Sequence, residues 1–268
     1  MSPRHGIVPR LKRKKIQEAI GSGKRMDGRE LDDYREIVVK LGVIEKAEGS
    51  AEVFLGDTRV IVGVKIKCGA PFEDTPDEGV IICNAEFVPI ASPNFEPGPP
   101  REESIELARV VDRGLRSAEV VDFSKLAIVP GKHVYVINID IYILNYAGNL
   151  IDASAIAALA ALRETMKPIY KVKDGEILLT DKKEPLKAEK MPVAVTMVKI
   201  GDSIVLDPSA DEEEVMDARL TMTVDEDGNI CTIQKSGSYG LTLEEIEKAL
   251  NIAVEKAPGI RSKITGND

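Results

Sequence analysis

The sequence predicts an α+β protein with two β-rich halves and helices packed against them. Three observations carry that reading. Patterns of period two and of helical period alternate along the chain as strands, helix, strands, helix, then strands and helix again. The chain has 268 residues, 43% of them hydrophobic, which is enough to bury a sizeable core. Only 4% are aromatic and none is Trp, so that core must be built from Val, Ile, Leu and Ala.

Residues 9–21 read as an amphipathic helix with Leu11, Ile16, Ala19 and Ile20 as its stripe and Gly21 and Gly23 at its end. Strands follow at 37–43, 50–55 and 59–67, with Gly56-Asp57-Thr58-Arg59 as a hairpin turn. Residues 80–90 form a further apolar run, and the proline-rich stretch 93–100 suits neither helix nor central strand. From Glu102 to Glu119, Ile105, Ala108, Val111, Leu115 and Ala118 recur at helical spacing. Residues 126–130 and 133–145 read as strands. Asp152 is positioned to cap a helix over Ala153–Met166, whose nearly all-round apolar surface predicts burial. Residues 167–190 are polar, with a short strand near 176–180, and mark the best boundary within one compact body. A β-rich segment covers 193–224, Asp225 to Asn229 turn the chain, and a strand follows at 230–235. The last helix starts at the capping box Thr242-Leu243-Glu244-Glu245 and is expected to end near Pro258.

The net charge of −9 argues against a surface that binds nucleic acid everywhere. Charge is unevenly spread, with a basic run (Arg10, Lys12, Arg13, Lys14, Lys15) and an acidic one at 211–214. The basic run reads best as a solvated helix face, and the acidic run as the start of a helical turn rather than a metal site. Cys68, Cys83 and Cys231 are odd in number and far apart, so they read as ordinary buried thiols in a reducing cytoplasm. The N-terminus is not that of a signal peptide, and no apolar run is long enough to span a bilayer. There is no GxxxxGK[ST] and no GxGxxG after a strand. The only histidines are His5 and His133, and the second opens a predicted strand, which argues against a Ser-His-Asp triad. The segment Asp225 to Asn229 lacks the spacing of a calcium loop.

Three segments together resemble the RNase PH family, in its archaeal exosome branch. They are Arg25-Met26-Asp27-Gly28-Arg29 with Tyr34-Arg35, then Ala91 to Pro100 running into Ile105 to Arg113, then Ile128 to Lys132 leading to Gly148-Asn149. The resemblance spans about residues 15–256. It implies an RNase PH-like fold, with a βαβ core of the kind in ribosomal protein S5 domain 2 and a second, smaller β/α sub-domain. It further implies an N-terminal helix and basic segment at 1–30, a first domain at 31–168, a connecting loop at 169–190, a second domain at 191–258 and a tail at 259–268.

Active members of such a family would be phosphorolytic 3′→5′ exoribonucleases, with positive charge for phosphate and carboxylates for a metal or proton transfer. Here Leu150 and Ile151 stand where the resemblance implies a phosphate-binding Thr-Arg pair, with Asp152 beside them. Lys190 stands where it implies an Asp, and Glu184 lies near the other acidic position. The resemblance therefore implies a non-catalytic subunit, with no catalytic residue, metal or cofactor of its own. Inorganic phosphate, with a divalent metal as a further candidate, would be used by a catalytic RNase PH-like partner alternating with it in a hexameric ring. RNA is the other implied partner, and RNA-binding cap subunits are further candidates. Arg109, Arg113 and Arg116 share one face of the 102–119 helix and are the implied RNA-binding residues. The bland reading of that face is a solvated one, with Glu106 and Asp112 as neighbours. Two other functions compete: a phosphorolytic exoribonuclease active in its own right, and an unrelated α+β domain with a small-molecule pocket.

Overall fold

The computed structural model describes residues 7–173 and 176–266, with side chains from residue 12 onward. His5 and the side chains of Arg10 and Leu11 lie outside the described residues. The architecture is α+β, as the alternating patterns predict.

The first element among the described residues is α1 (Ile7–Gly21). Ile16 and Ile20 are buried against Val198, Ile200, Val205 and Val215. The helix thus docks on the second half of the molecule. The first sheet contains β1 (Ile37–Leu41), β2 (Gly49–Leu55), β3 (Thr58–Gly69), β4 (Val80–Phe87), β5 (Ala127–Val129) and β6 (His133–Asn145). Their order is β1-β2-β3-β6-β4, with β5 also on β6. All pairings are antiparallel except β4 with β6. That parallel pair requires a crossover, and α2 (Glu102–Ser117) supplies it. Strand β4 is consequently an edge, with α2 packed along it.

Helix α3 (Leu150–Arg163) buries twelve of its fourteen residues between β2 and β3 on one side and the second sheet on the other. This agrees with the all-round apolar sequence. Its start differs from the expected one. Asn149, in the left-handed region at φ 52°, is the N-cap, and the helix begins two residues before the residue expected to cap it. Asp152 is drawn inward instead, because Tyr34, Asn149 and Thr196 all donate to it. Gly148 makes the turn possible: at φ 99°, a Cβ would lie 2.4 Å from the Pro208 carbonyl oxygen.

Residues 167–190 are not mainly loop. They contain most of an antiparallel hairpin, β7 (Met166–Lys173) with β8 (Glu176–Pro185). Its strands are polar on the outside and carry Lys171, Lys173, Lys182 and Lys183, which hid the pattern. The second sheet has the order β10-β9-β11-β12 and is wholly antiparallel. Its strands are β9 (Val193–Ile200), β10 (Ser203–Leu206), β11 (Ala218–Val224) and β12 (Ile230–Ser236), and α4 (Ala210–Val215) interrupts them. The closing helix, α5 (Leu243–Thr265), starts at the predicted capping box but continues through Pro258. Ala249, Ala253 and Ala257 are buried, and Ile260 and Ile264 carry the same stripe onward. Packing on both sides of the proline outweighs the one hydrogen bond it removes.

A buried polar junction ties the N-terminal segment to the second sheet. Arg25, 4% exposed, grips Glu212 at 2.5 Å and donates to the Leu206 and Asp207 carbonyls. Arg29 and Arg35 both reach the Asp207 carboxylate, at 2.9 and 2.7 Å. The basic and acidic runs meet here too: Lys12 bridges Asp211 and Glu214, and Arg13 bridges Asp217. Glu213 accepts from Tyr146 and the Asn149 backbone.

Candidate functional site

Helix α2 buries Leu107, Ala108, Val110, Val111, Gly114 and Leu115, which turns the face carrying Arg109, Arg113 and Arg116 outward. With Ala108, Asp112 and Ser117, and with Ile81, Ile82 and Cys83 of β4, these arginines line a groove of about 450 Å³. The groove follows the exposed edge of the first sheet. Among the described residues that line it, one carboxylate, Asp112, faces three guanidiniums, a balance that favours an anionic ligand.

The three arginines are held differently. Arg116 donates from Nε to both Asp112 oxygens, at 2.9 and 3.0 Å, and from Nη2 to the Ile81 carbonyl. Its guanidinium lies 5.8 Å from the Phe123 ring centroid. Arg113 donates from Nη1 to Gln234 Oε1 at 2.8 Å. Arg109 is exposed and has no hydrogen-bond or ion-pair partner among the described residues. Glu106, expected beside them, pairs with Arg219 at 2.8 Å. Burial pushes the Cys83 thiol well up, and the nearby Asp112 charge adds to the effect. All three cysteines are partly rather than fully buried, since they lie on strands with one open side.

The start of α3 has a different character. Leu150 and Ile151 are 9% and 4% exposed. Ile151 borders a void of only about 10 Å³, lined mostly by Val110, Val111, Leu115, Ala155, Pro192 and Ala194. Such a space is apolar and too small for a phosphate. Burial pushes Asp152 up to about 6, against the pull of its hydrogen bonds from Tyr34, Thr196 and Asn149. Lys190 reaches Glu119 at 3.1 Å, whereas Glu184 pairs across the hairpin with Lys167 at 2.5 Å. The two positions considered for a carboxylate pair thus have separate partners.

Sequence reasoning placed the three arginines on one face, and the structure brings them together in one groove. It missed Gln234, which is 121 residues from Arg113 and becomes its neighbour only when β12 forms beside α2.

Comparison with known proteins identifies the frame around this groove. The family model described as 3′ exoribonuclease family, domain 1, matches residues 33–168, and domain 2 of the same family matches 190–256. The chain is 53% identical over 260 residues to the exosome complex component Rrp42 of Thermococcus kodakarensis, covering 96% of each. It is 47% identical over 253 residues to the Rrp42 component of Methanothermobacter thermautotrophicus, covering 94% and 93%. Among solved structures, it is similar to a chain of the Archaeoglobus fulgidus exosome with RNA bound to the active site. That match has a TM-score of 0.89 and 46% identity over 96% of this chain and 99% of the other. A chain of an archaeal exosome core matches with a TM-score of 0.85 and 42% identity, covering 97% and 98%. The chain belongs to the RNase PH family of 3′ exoribonucleases and, within it, to the archaeal Rrp42 exosome components.

Proposed function

We propose that the chain is a ring subunit of an exosome that grips RNA and performs no phosphorolysis itself. The observation that carries the second half of this reading is the start of α3. Leu150 and Ile151 are buried there, and Ile151 borders a void of only about 10 Å³. A phosphate needs charge-assisted donors, and aliphatic side chains offer none. Asp152 beside them and Lys190 in place of an acid weigh the same way. The assembly half is supported by relatives that share about half their residues with this chain and are named exosome components.

The RNA half rests on the α2 groove. Arg109 and Arg113 present donors at the surface, and Arg116 shapes the wall. Backbone phosphates of a single strand suit such a row, and each one neutralised adds roughly 0.7 to the salt slope. Inorganic phosphate, with any divalent metal, is used in this reading by a catalytic RNase PH-like partner in the ring, and cap subunits are further candidate partners. No helix among the described residues is long and apolar enough to cross a membrane. The three free cysteines suit a reducing cytoplasm.

The test is RNA degradation in phosphate buffer by this chain alone, by its catalytic paralogue alone and by the two mixed. The mixture is repeated with Arg113→Ala. Inactivity alone, strong activity mixed and weaker activity with the variant are expected. Phosphate-dependent release of nucleoside diphosphates by this chain alone would overturn the reading.

A further inference from the structure

Arg113 and Arg116 lie about one turn apart on α2, yet different chemistry holds them. Asp112 accepts from Arg116 with both oxygens, so a negative charge sits directly on that guanidinium. Gln234 accepts from Arg113 with an amide oxygen at 2.8 Å and brings no charge. A guanidinium has five N–H donors in a fixed plane. One neutral acceptor can fix the direction of that plane and leave the remaining donors, and the whole positive charge, for another ligand.

The contact depends on how closely α2 approaches the second sheet. Gly114, next to Arg113, is buried on the side of α2 facing β11, where a Cβ would lie 3.2 Å from Thr223 Oγ1. The missing side chain lets the helix settle there. Gln234 lies on β12, directly across from Thr221 of β11, and so at the edge of that sheet. Arg113 thus extends from a helix of the first half to a strand of the second.

We propose that Gln234 is a positioning residue for RNA. It orients Arg113 toward the groove through a neutral hydrogen bond and leaves its charge available to a backbone phosphate. This rests on the α2 groove being the RNA-binding surface.

The test uses the ring assembled with its catalytic partner in phosphate-free buffer. Anisotropy of a fluorescein-labelled single-stranded oligoadenylate gives affinity across a salt series. Gln234→Glu keeps the shape and the acceptor but adds a negative charge. It is expected to flatten the salt slope by about 0.7, as Arg113→Ala does, because one phosphate contact is lost. Gln234→Met keeps the volume and removes the acceptor. It should weaken binding about 2- to 5-fold, the scale of one hydrogen bond, and leave the slope unchanged. If Arg113→Ala weakens binding while Gln234→Glu matches the wild type, the positioning role is overturned and the groove reading stands. If Gln234→Met flattens the slope as much as Gln234→Glu, the residue acts through the fold rather than through charge, and the proposal also fails. If Arg113→Ala changes neither affinity nor slope, the groove reading fails and takes this one with it.

Discussion

At the junction between the N-terminal segment and the second sheet, Arg25, Arg29 and Arg35 are answered by the buried carboxylates of Glu212 and Asp207. On α2, Asp112 pairs with Arg116 alone, Arg113 meets the amide of Gln234, and Arg109 is exposed with no partner among the described residues. The residue type is the same and the physical outcome is opposite. Where a buried carboxylate meets each guanidinium, the charge is used up inside the protein and the arginine becomes a staple. Where the partner is an amide, or absent, the charge remains for something outside. Exposure alone does not decide this, because Arg116 borders the same groove as Arg109 and is nevertheless committed to Asp112 and the Ile81 carbonyl.

The comparison breaks most visibly at Asp207. Asp207→Ala leaves Arg29 and Arg35 without their shared carboxylate, and removing one partner of a buried pair costs about 3–5 kcal/mol. Denaturant unfolding should show that loss, whereas Arg109→Ala should stay within about 0.5 kcal/mol of wild type. Equal losses would abolish the distinction between staple and grip.

Asp152 sharpens the same contrast by a second route. Burial raises both Asp152 and Asp207, but only Asp207 meets guanidiniums, and hydrogen bonds and charge from Arg35 bring it below its ordinary value. Asp152 has only neutral donors and remains at about 6, against 3.8 for an ordinary Asp. Between those two values the folded chain keeps a proton that the unfolded chain has released. Stability from Asp152 therefore falls by roughly 3 kcal/mol as pH rises through that window and is level above it. Asp207 has the opposite sign: its contribution is complete above the ordinary carboxylate value and is lost as pH falls below it. The unfolding free energy of wild type minus that of Asp152→Asn should fall by that amount between about pH 4 and 7. Curves that stay parallel would mean that Asp152 titrates as an ordinary carboxylate.

Much of this was legible from local pattern. The stripe of α2 fixed which face is buried, and hence that the three arginines point outward together. The apolar surface of α3 announced a helix enclosed on all sides. What local pattern could not supply was the destination of polar groups. Asp152 looks like a cap because Asp commonly is one, but Tyr34 and Thr196 arrive from distant segments and claim its oxygens. Pro258 looks like a helix end because the cost of a proline is local, while the burial of Ile260 and Ile264 that offsets it is tertiary. The hairpin of β7 and β8 hid behind lysines that a strand open to solvent on one side tolerates. Gln234 carried no signal at all, since its meaning comes from the neighbour that folding gives it.

Within the groove, Arg109→Ala should weaken RNA binding by the assembled ring and flatten the salt slope by about 0.7 with the fold intact. The smallest expected effect is at Asp112, and it tests the comparison from the other side. Asp112→Asn keeps an acceptor for Arg116 but removes the charge that occupies it. Loss of an i,i+4 ion pair with both members partly exposed should cost about 0.3–0.5 kcal/mol of stability. Freed from its carboxylate, Arg116 should then behave more like Arg113, with tighter RNA binding and a salt slope steeper by up to about 0.7. A variant that binds RNA more weakly would mean that Arg116 needs Asp112 to hold its direction. In that case orientation, rather than available charge, would set the strength of the grip on that side of the groove.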